Sequence, residues 1–266
     1  MTPRVLGILN VTPDSFSDGG CFVAVEDAVV HAQSMLAAGA DMVDVGGEST
    51  RPGAEPVDVD TELRRVVPVI EALEGRCRIS VDTRRAEVAR AAVAAGASII
   101  NDVGANLGSV AAELGTGWIG THVRGEPATM QRDPHYDDVV AEVCEFLTSV
   151  ATAARTAGVE EIWIDPGFGF GKTLDHNLAV LANLDRLVAT GWPVAVGTSR
   201  KAMLGTLLAR SDGSDEPVPV DDRLIGSVTT ATYAMVCGAA LIRVHDVAAA
   251  KQAATVIAGD KHPRST

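Results

Sequence analysis

The chain of 266 residues carries 22 basic and 35 acidic side chains for a net charge of −13, and it is 47% hydrophobic with 21% charged residues. That balance excludes a disordered chain and a nucleic-acid binder working through a basic surface, and it supplies apolar material for one large core. Cys21, Cys77, Cys144 and Cys237 lie far apart with no CxxC pair, so they read as small buried or half-buried thiols in a reducing compartment.

The N-terminus has no signal-peptide layout, and no apolar run approaches the roughly 18 residues of a membrane span, so a cytoplasmic protein is expected. Short apolar runs alternate with helical patterns along the chain. They predict strands at Val5–Leu9, Met42–Val45, Ile79–Val81, Ser98–Ile100, Trp118–Thr121, Ile162–Ile164, Pro193–Val196 and Ala240–Val244. Between the first two strands, Ala28, Ala32, Met35, Leu36 and Gly39 follow helical spacing. Between the next two, Leu63, Val66, Val67, Ile70 and Leu73 form one helix face, in which Pro68 should kink or restart the helix. Gly39, Gly96, Gly158 and Gly191 each follow a helical pattern and precede a strand, the position of a left-handed C-cap. Ser211–Pro217 reads as a solvated loop between two helices after strand seven.

Eight strand-plus-helix units with right-handed crossovers close most simply into a (β/α)8 TIM barrel, a fold of about 250 residues, with an open doubly wound sheet as the alternative. One domain is expected over residues 1–260, followed by a polar tail, 261–266. Chemistry in such barrels belongs to the loops at the strand C-termini.

Those loops hold unusual residues. After strand one, Asn10 opens the long segment to Gly20; its amide oxygen suits a hard cation or the capping of a turn. Gly-Gly at the end of that segment suits a lid. After strand two, Arg51 sits in a glycine-flanked loop, available as a fork for a carboxylate or phosphate. Asp82, Asn101 and Asp102 end strands three and four, and Asp165 ends strand six ahead of Pro166-Gly167-Phe168-Gly169-Phe170-Gly171. An acid followed by glycines and two aromatics makes a floor for a flat polar heterocycle: the carboxylate takes its amino edge and a phenylalanine covers its face. Lys201 after strand seven, with Arg243 and His245 at strand eight, occupies the usual anion site of the fold. The glycines of Gly167–Gly171 lack the dinucleotide spacing, and no HxH or HExxH occurs, which disfavours a nicotinamide enzyme and a zinc hydrolase.

Seven ordered motifs resemble the dihydropteroate synthases of folate biosynthesis: Asn10–Gly20 (NVTPDSFSDGG), Gly46–Gly53 (GGESTRPG), Ser80–Thr83, Asn101–Val103, Asp165–Lys172 (DPGFGFGK), Ser199–Lys201 and Arg243–Val247. The resemblance implies a transferase that condenses 7,8-dihydropterin-6-ylmethyl diphosphate with 4-aminobenzoate, releasing diphosphate. It implies that Asp82, Asn101 and Asp165 hold the pterin, with Lys201 beside them and Arg243 over the ring. Arg243 and His245 take the diphosphate with Asn10 and Mg2+. Phe16, Thr50, Arg51, Pro52, Phe170 and Ser199 build the aminobenzoate pocket, and Asp18 joins Asp82 in favouring positive charge. Family members are commonly homodimers, here expected through Leu224–Val236, and are sulfonamide targets. Two stretches depart from the family pattern: Gly104–Gly108 is shorter, and Thr121-His122-Val123 stands where Met-His-Met is usual. These departures motivate an alternative, a catalytically silent pterin-binding paralogue. A pterin-binding methyltransferase of the same superfamily would have no use for the Thr50-Arg51-Pro52 loop.

Overall fold

The computed structural model describes residues 3–11, 21–49, 57–125 and 129–259, with backbone alone at 21–24. Strand β1 (Arg4–Asn10) leads through α1 (Cys21–Ala37) to β2 (Met42–Gly46), α2 (Val59–Leu73), β3 (Ile79–Asp82), α3 (Ala86–Ala94) and β4 (Ile99–Val103). Helix α4 (Gly108–Leu114), β5 (Gly117–Thr121), α5 (Val139–Ala157) and β6 (Ile162–Asp165) follow. Two short helices, α6 (Leu174–Ala182) and α7 (Leu184–Val188), precede β7 (Ala195–Val196); α8 (Ala202–Ser211), a 3-10 turn and α9 (Leu224–Val236) precede β8 (Leu241–Val244) and α10 (Val247–Gly259).

All strand pairs are parallel, in the order β6-β5-β4-β3-β2-β1-β8-β7. A single parallel bridge, Ile164 to Val194, with Ile164 N donating to Pro193 O at 2.9 Å, joins β6 to the β7 edge and brings the ring to near closure. The expected barrel is therefore present and the open sheet is not.

Helix ends follow local chemistry. Asp58 caps α2 through Thr61 N at 2.7 Å, Asp138 caps α5 through Val140 N and Ala141 N, and Thr173 with His176 forms a capping box on α6. The expected left-handed glycines all have positive φ: Gly39 at 99°, Gly96 at 118°, Gly158 at 114° and Gly191 at 84°. Helix α2 runs as one element through Pro68 and does not restart there. The missing Pro68 N–H costs one bond, while Val66, Val69, Ile70 and Leu73 bury their side chains on both sides of it. Gly205 stands inside α8 because a Cβ there would lie 2.7 Å from the Arg223 guanidinium.

Inside the barrel, Leu6, Met42, Ile99, Ile119, Trp163, Ala195 and Leu241 form a small apolar cluster separate from the large one between strands and helices. Beside this plug Arg4 and Arg78 each place a guanidinium carbon 5.9 Å from the Trp163 ring, and both pair with Glu161. Ile119→Ala would open a cavity in a layer that neighbouring strands cannot collapse into, so a loss of about 2–5 kcal/mol is expected. Urea unfolding should show a lower midpoint at unchanged slope; an unchanged midpoint would contradict the packing described.

Candidate active site

Side chains alternate across a strand, so the position two residues past each plug residue also faces the barrel axis, one layer nearer the C-terminal mouth. From the plug this gives Ile8 after Leu6, Asp44 after Met42, Asn101 after Ile99, Thr121 after Ile119, Asp165 after Trp163, Gly197 after Ala195 and Arg243 after Leu241, polar at most positions. The register sets Asp44 beside Ser80, Gly46 beside Asp82, Asp82 beside Asn101 and Thr121 beside Asp165. A polar ring of acids, amide and cation thus caps an apolar plug.

Arg243 bridges this ring. Its Nε donates to Asp44 Oδ2 and its Nη2 to Asp82 Oδ2, both at 2.6 Å, while Asn101 Nδ2 donates to Asp44 Oδ2 at 3.0 Å. The Oδ1 atoms of Asp44 and Asp82 are buried without a hydrogen-bond partner. Asp165 Oδ1 accepts from Gly167 N at 2.7 Å. Lys201 stands at the N-cap position of α8, donates from Nζ to Phe168 O and lies 4.3 Å from the Phe170 ring centroid. Asp82, Asn101, Thr121, Asp165, Lys201 and Arg243, with Val103, Phe170 and Gly197, line one cavity at the mouth.

Burial shifts these groups toward their neutral forms. It raises Asp82 to about 7 against the Arg243 charge, with Asp44 and Glu62 adding to the rise, and it raises Asp165 against Lys201. Burial lowers Lys201 to about 8, opposed by Asp165. Arg243 stays charged, raised by Asp44 and Asp82 beyond what burial removes.

Of the residues singled out from sequence, Asp82, Asn101, Asp165, Phe170, Lys201 and Arg243 converge on the cavity. Asn10 ends β1 at the mouth, its Oδ1 close to Gly46 and outside the cavity lining. Ser199 Oγ bonds His245 Nδ1 at 3.0 Å and accepts from His245 N at 3.1 Å, so this pair braces the β7 and β8 ends against each other outside that lining. Asp102, grouped with the strand-end acids, is aimed away from the axis; it accepts from Trp118 Nε1 at 3.0 Å and from Leu107 N, and burial raises it to about 6. Phe16, Asp18, Thr50, Arg51 and Pro52 lie outside the described residues.

Two buried charged positions at the site escaped sequence reasoning. Asp44 is an acid inside the apolar run Met42–Val45, a mismatch that itself signals a barrel-facing site. Lys172 closes the glycine-rich motif, and its burial beside His122 became visible only in three dimensions.

A parallel barrel that gathers carboxylates, an amide and two cations in one cavity at its C-terminal mouth has the layout of a TIM-barrel enzyme site. The sequence profile of the family described as "Pterin binding enzyme" matches residues 6–245. The dihydropteroate synthase of Escherichia coli K12 is 47% identical over 263 residues, covering 96% of this chain and 90% of the relative. A solved Xanthomonas albilineans dihydropteroate synthase with 4-aminobenzoic acid is 48% identical with a TM-score of 0.88, covering 98% of this chain and 94% of that one. The same enzyme in complex with 7,8-dihydropteroate aligns at 45% identity and a TM-score of 0.84, covering 98% of this chain and 95% of that one. This chain belongs to the pterin binding enzymes and, among them, to the dihydropteroate synthases.

The raised Asp82 fixes the sign of a pH effect. Its folded value of about 7 lies above its ordinary 3.8, so the folded state binds more protons between those values and loses stability as pH rises through them. The Tm of Asp82→Asn measured against wild type should therefore move in the variant's favour from about pH 4 to about pH 7 and level above, on top of a pH-independent loss from the broken Arg243 pair. A difference that moves in favour of wild type over that range would reverse the assignment.

Proposed function

We propose that this chain condenses 7,8-dihydropterin-6-ylmethyl diphosphate with 4-aminobenzoate to give 7,8-dihydropteroate and diphosphate. The observation that carries the reading is the mouth ring in which Asp82, Asn101 and Asp165 share one cavity with Lys201 and Arg243. Carboxylates and an amide match the amino and ring-amide edge of a pterin, which satisfies buried polar atoms such as Asp82 Oδ1. Lys201 beside the Phe170 ring defines a slot of cation and aromatic face.

The carbon–oxygen bond to diphosphate breaks as the carbon–nitrogen bond to the arylamine forms, and the amine proton leaves to solvent. Arg243 and Lys201 stabilise charge on the departing diphosphate, with His245 in support at the β8 end. Asp82 favours the positive charge that develops on the ring-bound methylene, so substitution proceeds with cationic character and without a covalent enzyme intermediate. The amine needs no strong base. Asp18 adds a second acid to this field, and Phe16, Thr50, Arg51, Pro52, Phe170 and Ser199 form the arylamine pocket, by family likeness.

Among the described residues no group of three His, Cys, Asp or Glu side chains is placed to hold a metal. An Mg2+ that arrives with diphosphate needs only one or two protein oxygens, which Asn10 at the β1 end provides. Bound there, Mg2+ would neutralise leaving-group charge. No described helix is long and apolar enough to cross a membrane. Helix α9 leaves Leu224, Ile225, Tyr233 and Val236 exposed, which supports a homodimer through that face.

Turnover of both substrates, followed by diphosphate and dihydropteroate together, should be stoichiometric, require Mg2+ and be inhibited by a sulfonamide. Pterin binding without product would favour the silent paralogue. Lys201→Ala should lower kcat/KM by about 100-fold, the scale of one charged transition-state contact; a change within twofold would remove Lys201 from the mechanism. Ile225→Asp should shift sedimentation equilibrium toward monomer, and an unaltered dimer would place the interface elsewhere.

A further inference from the structure

Five consecutive carbonyls of the loop after β6 each accept from a side chain. Lys172 Nζ donates to Gly167 O at 3.1 Å and Phe170 O at 3.3 Å, Lys201 to Phe168 O, Gln131 to Gly169 O, and Tyr136 Oη to Gly171 O at 2.9 Å. Gly167 and Gly171 have φ of 67° and 62°, and a Cβ on either would fall 1.9 Å from His122 O or 2.1 Å from Arg124 O. The loop is thus laid directly on the backbone that follows β5. Apart from the turn bond from Phe170 N to Gly167 O at 3.1 Å, and donation from Gly167 N to Asp165 Oδ1 at 2.7 Å and from Gly169 N to Asn177 Oδ1 at 2.8 Å, donors from side chains set its shape.

Lys172 is the donor that spans the loop. Its side chain is almost wholly buried, and its third bond, 2.9 Å, goes to His122 Nδ1. Three acceptors match the three protons of an ammonium. Facing it are His122 and Arg124 from the β5 side, Asp165 from β6 and Lys201 from the start of α8. Burial, with the Lys172 charge, pushes His122 down to about 3, which keeps its ring neutral and an acceptor. Burial and the Lys201 charge bring Lys172 down to about 7, opposed by Asp165.

We propose that Lys172 is a positioning residue of the pterin site: its ammonium, wedged between His122 and the carbonyls of Gly167 and Phe170, holds the loop on which Asp165 and Phe170 meet the ring. The inference rests on the pterin reading above. It goes beyond that reading in assigning work to a side chain that does not line the cavity.

The test is Lys172→Met, which keeps length and burial and removes the donors. KM for the pterin diphosphate, and its Kd measured by calorimetry without arylamine, should each rise about tenfold or more, the scale of a lost charged hydrogen bond. Amide hydrogen exchange should accelerate at residues 167–171 and remain unchanged in β1 to β4. A variant with wild-type KM, Kd and loop exchange, whose kcat falls only in proportion to its folded fraction, overturns the proposal. If Lys172→Met does not fold, His122→Phe keeps ring packing against Tyr136 and Phe146 while removing one acceptor. It should raise the same Kd about threefold with the same local exchange, and no change there overturns the proposal equally. Wild-type pterin binding without turnover would break the activity assignment alone; absence of wild-type pterin binding would break both.

Discussion

Arg243 held between two buried carboxylates is the interaction on which the mouth of this barrel depends. One guanidinium donates to Asp44 and Asp82 at 2.6 Å each, joining β8 to β2 and β3 across the barrel interior. Removing either acid would leave charge uncompensated at low dielectric, a far larger effect than losing a surface pair. Because Asn101 donates to the same Asp44 oxygen, its amide is oriented by the acid that orients the cation. One set of bonds therefore fixes both the polar groups of the cavity and the spacing of the strands that carry them.

Stability and function pull against each other at this ring. On the two acids that hold Arg243, Asp44 Oδ1 and Asp82 Oδ1 are buried with no hydrogen-bond partner among the described residues. Burial raises Asp82 and Asp165 and lowers Lys201, so an unliganded site carries charges that its own surroundings disfavour. Under the proposed function, a pterin edge bound against Asp82 would return a partner to its Oδ1, so relief of that burial cost would contribute to binding. The apolar plug below, closed by Trp163 with Arg4, Arg78 and Glu161, supplies the rigidity that allows such a layer to persist.

The β6 loop shows how irregular backbone is kept in place without a ladder. Its carbonyls are bound by Lys172, Lys201, Gln131 and Tyr136, which come from the loop's own end and from two other parts of the chain. Lys201 serves twice, donating to Phe168 O while standing beside Phe170 in the cavity. Loop shape and charge at the site are thereby coupled.

The sequence by itself determined the eight strands, the glycine C-caps and most of the mouth ring, because strand alternation and helix caps are local rules that act within a few residues. Asp82, Asn101, Asp165 and Arg243 could be read because each ends an apolar run. Tertiary structure decided what local rules cannot reach. Asp44 and Arg243 are 199 positions apart and Lys172 and His122 are 50 apart, so only closure of the barrel brings each pair together. It also turned Asp102 from the axis to Trp118 and paired Ser199 with His245, since register and burial, not residue type, choose a buried polar group's partner. Pro68 remained inside one helix for the same reason: packing on both sides outweighed a single lost hydrogen bond.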